Sequence, residues 1–186
     1  MSVFGVSIYW IILGVIILWF IWTYNRLVSL RFRVKEALSD IDVQLKRRTD
    51  LIPNIINSVK GYIAHERGVL EKVTEARAKV VSGGNPIERN KDENYLSQTL
   101  KALFAVAENY PDLKANVNFL ELQRELSDTE NKIQAARRFY NSTVQDINTA
   151  VQSFPINIIA LIFRFGEEKF FELEEEGERA VPEVKF

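Results

Sequence analysis

The chain has 186 residues, 47% hydrophobic and 26% charged, with a formal net charge of −1. So even a balance argues against nucleic acid as the main partner. There is no cysteine, which excludes a disulfide framework, a thiolate nucleophile, a cysteine-ligated metal and lipoprotein-type acylation.

From Val3 to Tyr24 the chain reads VFGVSIYWIILGVIILWFIWTY, 22 residues without a charge, and the first charge of either sign is Arg26. An α-helix crosses a bilayer core with roughly 20 apolar residues, its backbone hydrogen bonds closed on themselves. Tyr9 and Trp10 lie near one end, and Trp19, Trp22 and Tyr24 near the other, where amphipathic rings favour the headgroup layer. The competing readings are a buried core helix and a cleaved signal peptide, and the second calls for a basic stretch ahead of a shorter apolar run. The expectation is a retained transmembrane anchor over residues 1–25. Arg26, Arg31, Arg33 and Lys35 follow it against a single Glu36. Basic residues beside a spanning helix stay on the cytoplasmic side, so the amino terminus is expected outside and the remainder inside, at a cell membrane. Attraction to anionic lipid is a compatible second role for these charges.

Residues 26–155 read as helices. Leu27, Leu30, Val34, Leu38, Ile41 and Leu45 recur in steps of three and four, the mark of an amphipathic stripe. With neither Pro nor Gly before it, one helix is expected to run from the membrane to about Arg48. Lys46, Arg47 and Arg48 then complement the dipole of its last turn. Thr49 and Asp50 suit the cap of a second helix with Pro53 in its first turn. Its stripe is Ile52, Ile56, Val59, Ile63, Leu70, Val73 and Val80, and it stops at Ser82-Gly83-Gly84-Asn85-Pro86, a Gly-then-Pro stop signal. Glu66 and Arg77 fall on the same stripe. If buried, each needs a partner on another helix; the alternative is a face only partly covered there.

Asn90 and Glu93 have the spacing of a capping box ahead of a third stripe, Tyr95, Leu96, Leu100, Leu103, Phe104, Ala107 and Tyr110, which Pro111 breaks. The last long helix is expected to start near Asn116 or Asn118. It carries Leu122, Leu126, Thr129, Ile133, Ala136, Tyr140, Val144, Ile147, Val151 and Phe154 up to Pro155. That near-regular alternation of four and three suits packing between nearly antiparallel helices. Residues 156–186 then hold an apolar segment, INIIALIFRF over 156–165, and an acidic tail with Glu172, Glu174, Glu175 and Glu176. Ten residues are too few to span a bilayer. The segment is left with three placements: over the end of the bundle, at the headgroup layer, or in another subunit.

Several long phrases carry a family resemblance. They are Tyr24-Asn25-Arg26-Leu27-Val28, SDIDVQLKRRTDLIPNIINSVKGYIAHE from Ser39, VTEARAKV from Val73, LFAVAENYPDLKANVNFLELQRELSDTENKIQAARRFYN from Leu103, and FPINIIALIF from Phe154. In order and over nearly the whole chain, they resemble the bacterial LemA family. The resemblance implies a membrane-anchored, mainly antiparallel four-helix bundle. It carries no catalytic residues across, and implies an envelope-associated partner or scaffold, sometimes linked to membrane peptidases.

Tests for chemistry come out negative. A di-iron bundle needs two Glu-x-x-His motifs, but the single histidine, His65, has Tyr62 three residues before it. His65-Glu66 begins like a zinc motif, yet position 69 is Val. His65 is therefore read as a surface or boundary residue. Gly83-Gly84 lacks the Lys-Ser/Thr of a phosphate loop and is read as a turn. The serines have no histidine partner at a nucleophile elbow, and Asp40 and Asp42 diverge on a helix. No catalytic, cofactor-binding or metal-ligating residue is assigned, and no cofactor is expected. The fold class is all-α, an N-terminal transmembrane helix continuous with an antiparallel four-helix bundle of long helices. The function expected is a non-catalytic interaction scaffold whose partners are the lipid bilayer, further copies of itself and an unidentified membrane or cytoplasmic protein. A membrane-shaping assembly of many copies is the alternative, and an enzyme of unrecognised type the remotest.

Overall fold

The computed structural model describes residues 2–63 and 65–171, with side chains from Ile8 onward. The acidic run from Glu172 lies outside the described residues. Among those described there are helices and no strands: α1 (Ser2–Val59), α2 (Arg67–Ser82), α3 (Asn90–Ala107), the single turn α4 (Pro111–Lys114), α5 (Val117–Gln152) and α6 (Ile156–Ile162).

The longest helix corrects the sequence reading. No turn occurs at residues 48–50: Thr49, Asp50 and Pro53 all lie inside α1, which continues to Val59. Thr49 is no cap. Its hydroxyl donates back to the Leu45 carbonyl at 2.9 Å, as threonines inside helices do. Lys46 and Arg47 are accordingly mid-helix, Lys46 paired with Asp50 at 3.0 Å and Arg47 with Glu125 at 3.0 Å. The break comes at residues 60–66 instead, where Tyr62 N–H and Ile63 N–H both return to the Val59 carbonyl.

The chain forms two compact units, Met1–Ser39 with Ala136–Phe170, and Asp40–Ala135 with Phe171–Phe186. In the second, the expected stripes supply the core. Ile52, Val59, Ile63, Val73 and Val80 meet Leu96, Leu100, Leu103, Ala107 and Leu126. Ile55 and Leu113 join them, and Leu113 stands on α4, a turn started by Pro111 at its first position. There the missing proline N–H costs nothing. The α5 start agrees with the sequence, because Asn116 Oδ1 accepts the Phe119 N–H at 3.1 Å and so satisfies one of the orphan donors of a helix start.

In the first unit, Leu27, Ala150, Ile159 and Ala160 are buried together, flanked by Leu30, Val151, Ile156 and Phe165. The remaining α5 positions Tyr140, Val144 and Ile147 are buried as the stripe requires. Phe154 is not. Helix α5 ends at Gln152, two residues short of it, and the Phe154 side chain is 80% exposed.

Candidate functional site

Two groups of residues have the properties of a site. The first is in the second unit, and its centre is Arg48, which is 1% exposed. Its Nη2 bonds both the carboxylate and the backbone carbonyl of Glu93, itself fully buried. Its Nη1 donates to Ser97 Oγ at 2.6 Å and to Glu130 Oε1 at 2.7 Å. Ser97 in turn donates to Glu130 at 3.2 Å. Arg89 extends the cluster, with Nε 3.0 Å from Glu93 Oε1 and Nη2 2.5 Å from Asp42 Oδ1. The guanidinium fork gives one residue several donors in fixed directions, so Arg48 ties α1 to α3 and α5 at once.

Sequence reasoning missed this cluster. Arg48 was expected to serve a helix end and Glu93 a capping box. In fact Arg89 stands in the cap position of α3 and no side chain caps it. Glu93 is turned inward because position 48 of an uninterrupted α1 faces it. The signal available was the phase of the stripe: Arg48 follows Ile41 and Leu45 by seven and three residues, on the buried face. The buried Glu93 carboxylate lies within ion-pairing distance of both the Arg48 and the Arg89 guanidinium.

The residues singled out from the sequence are placed elsewhere. Arg77 is half-buried, and its Nε donates to the Thr49 carbonyl at 3.2 Å. Glu66 is half-buried in the cap position of α2, where its carbonyl accepts the Val69 N–H at 3.1 Å and the dipole favours an acid. His65 is exposed. Asp40 is exposed, and Asp42 serves Arg89. Among the described residues no three acidic or histidine side chains are placed to hold a metal ion.

The second group is in the first unit. Part of α1 is long and apolar enough to cross a membrane, and its side chains are exposed around the whole circumference, Trp10 at 68% and Leu18 at 69%. A core helix would bury them. Helix α6 returns to the end of this stretch: the Phe163 ring lies 5.8 Å from Phe20 and 4.8 Å from Tyr24, and Phe165 lies 5.9 Å from Tyr24. Arg26 stacks over Trp22 at 5.5 Å and Arg31 over Phe165 at 6.0 Å. After α6 the chain is laid along α5. Asn148 exchanges two hydrogen bonds with the Glu168 backbone, at 2.9 and 2.8 Å, and the Tyr140 hydroxyl donates to the Lys169 carbonyl at 2.9 Å. Burial, and then the charge of Glu168, raise the Tyr140 pKa above its ordinary value.

Comparison with known proteins gives the family. The LemA protein of Metamycoplasma hominis is 30% identical over 140 residues, 73% of this chain and 63% of that protein. Magnetosome proteins MamQ of Magnetospirillum gryphiswaldense and MamQ 2 of Paramagnetospirillum magneticum are each 21% identical over 184 residues, 85% of this chain and 68% of theirs. The chain thus spans less than two thirds of that LemA protein's length. The family model for LemA matches residues 37–186, and the chain belongs to the LemA family.

Proposed function

We propose that this chain is a membrane-anchored, non-catalytic interaction scaffold, with α1 crossing the bilayer and the rest on the cytoplasmic face as an antiparallel four-helix bundle that self-associates. The observation that carries the reading is the exposed, uncharged surface of α1 from Ile8 to Trp22, for which hydrocarbon is the matching solvent. The antiparallel arrangement is supported by partner numbering. Arg48 meets Glu130 and Tyr62 meets Asn116, two pairs whose numbers both sum to 178. A rising position along α1 and its exit is matched by a falling one along α5 and its start. The scaffold role is supported by the charge cluster, whose groups are engaged in holding helices together.

Reporter fusions ahead of Val3 and after Phe171 test the orientation, the leading one expected outside and the trailing one inside. An external trailing reporter would overturn the cytoplasmic assignment. Native mass measurement with particle imaging in detergent tests self-association. A small defined oligomer supports the scaffold, whereas large curved arrays would replace it with a membrane-shaping assembly.

A further inference from the structure

Helix α6 has two sides. Ile159 and Ala160 are buried against Leu27 and Ala150. Ile158, Leu161, Ile162 and Phe163 face outward, Leu161 being 81% exposed, and Phe154 just before the helix is as open. An outward apolar surface of this kind marks an interaction site, and its position says which. Phe163 is in ring contact with Phe20 and Tyr24, the last turn of the uncharged stretch, before Arg26. The patch is therefore continuous with the surface that crosses the bilayer, at the depth where its apolar residues give way to charge.

We propose that α6 is a second, monotopic membrane contact, with Phe154, Ile158, Leu161 and Ile162 inserted at the boundary of headgroups and acyl chains. The inference rests on α1 being a membrane span and adds to it. Three features fit. A helix of seven residues is far too short to cross, as lying at the interface requires. Its C-terminal end is hydrogen-bonded internally: Arg164 takes a positive φ of 57°, Phe165 N–H reaches the Ala160 carbonyl at 2.8 Å, and Phe163 N–H reaches Ile159 at 3.0 Å. This Schellman-type ending leaves fewer bare carbonyls to be carried into a poorly hydrated layer. Finally, Arg26 and Arg31 stand over the Trp22 and Phe165 rings and the exposed Arg164 lies between Phe163 and Phe165, cations suited to lipid phosphates beside the inserted side chains. A lone span leaves tilt and rotation about its axis free. A second, off-axis contact restrains both freedoms for the unit that contains α1 and α6.

The absence of native cysteine makes the test direct. Single variants Leu161→Cys, Leu18→Cys and Val81→Cys of the full chain, nitroxide-labelled and placed in phosphatidylcholine–phosphatidylglycerol vesicles, are read against a water-borne nickel chelate and lipid-borne oxygen. These sites are exposed, so labelling leaves the core intact; Ile159 is unsuitable because protein already shields it. We expect label 161 to resemble label 18, with nickel accessibility several-fold below that of label 81. If label 18 reports hydrocarbon while 161 matches 81, the α6 proposal fails and the anchor stands. If label 18 is itself open to water, the anchor fails. Spin–spin broadening at 161 that disappears on dilution with unlabelled protein would mean that a second copy covers the patch, and would also overturn the proposal.

Discussion

Arg77 Nε donates to the backbone carbonyl of Thr49, the one carbonyl in that turn that the helix cannot satisfy. In an α-helix, Thr49 C=O would accept the N–H of residue 53. Residue 53 is proline and has none. A side chain from α2 thus replaces the missing rung, and α1 continues through Pro53 to Val59. The relationship also answers what a half-buried arginine on an apolar stripe is for.

It predicts a specific coupling. Arg77→Met in the native background should cost about 1.5–3 kcal/mol, the range for a hydrogen bond with a charged partner. In a Pro53→Ala background, position 53 supplies its own N–H and the cost of Arg77→Met should fall. Denaturant unfolding of the four proteins, in detergent throughout, measures the coupling. Equal costs in both backgrounds would show that Arg77 acts independently of the gap.

The Arg48–Glu93 pair makes a second prediction. Breaking a buried ion pair from one side typically costs 3–5 kcal/mol, roughly, because the other charge is left without compensation. Arg48→Met and Glu93→Leu should each be strongly destabilising, Arg48→Met the more so, since Glu130 and Ser97 lose the same donor. The double variant should be clearly less damaged than the two costs added together, because neither member of the pair is then left buried without the other. Additive costs would mean the pair is incidental to the packing.

These two arginines also mark how far the sequence could be read. Helical character, the stripes, the α2 stop and the Asn116 cap were all legible, because each rests on local periodicity or turn chemistry. The α1–α2 boundary was not. Thr49, Asp50 and Pro53 form a valid helix start by every local rule, and the group that takes the carbonyl Pro53 leaves open is a side chain 28 positions away. With the break at 60–66, Arg77 meets Thr49 and Arg89 meets Asp42. Arg48 was obscured by its neighbours, since a run of Lys46, Arg47 and Arg48 looks like a solvated end, although only its third member is on the buried face. For α6, length and composition left three placements open. The ring contacts of Phe163 with Phe20 and Tyr24 required the structure.

Within the core, Leu126 is the sharpest test of the α5 stripe. It is buried among the residues of the second unit, so Leu126→Ala should cost about 2–5 kcal/mol. At about 2–4 °C per kcal/mol for a chain of this size, the melting point should drop measurably by circular dichroism. Lys132→Ala is the control. Its ammonium pairs with Asp128 at 2.7 Å on the exposed side of the same helix, an i,i+4 contact of small net value. Similar shifts for both would mean that the stripe does not face a core.

Tyr140 provides a pH signature for the segment laid along α5. Its hydroxyl donates to the Lys169 carbonyl, and burial, followed by the charge of Glu168, raises its pKa. A pKa that is higher folded than unfolded means that the folded chain favours the neutral phenol. The resulting stabilisation is fully present below the unfolded tyrosine value of about 10, and is lost as pH rises through the folded pKa. Tyr140→Phe removes the hydrogen bond, at about 1 kcal/mol, together with that part of the alkaline dependence. Unfolding of the native protein and the phenylalanine variant should therefore be compared from about pH 8 to about pH 11, across the free tyrosine pKa. The native protein should be the more stable at the lower end, with the gap narrowing as the phenol ionises. A gap that stays constant over the whole range would mean that Tyr140 titrates as it does in the unfolded chain, and that the return of residues 167–169 along α5 gives it no shelter.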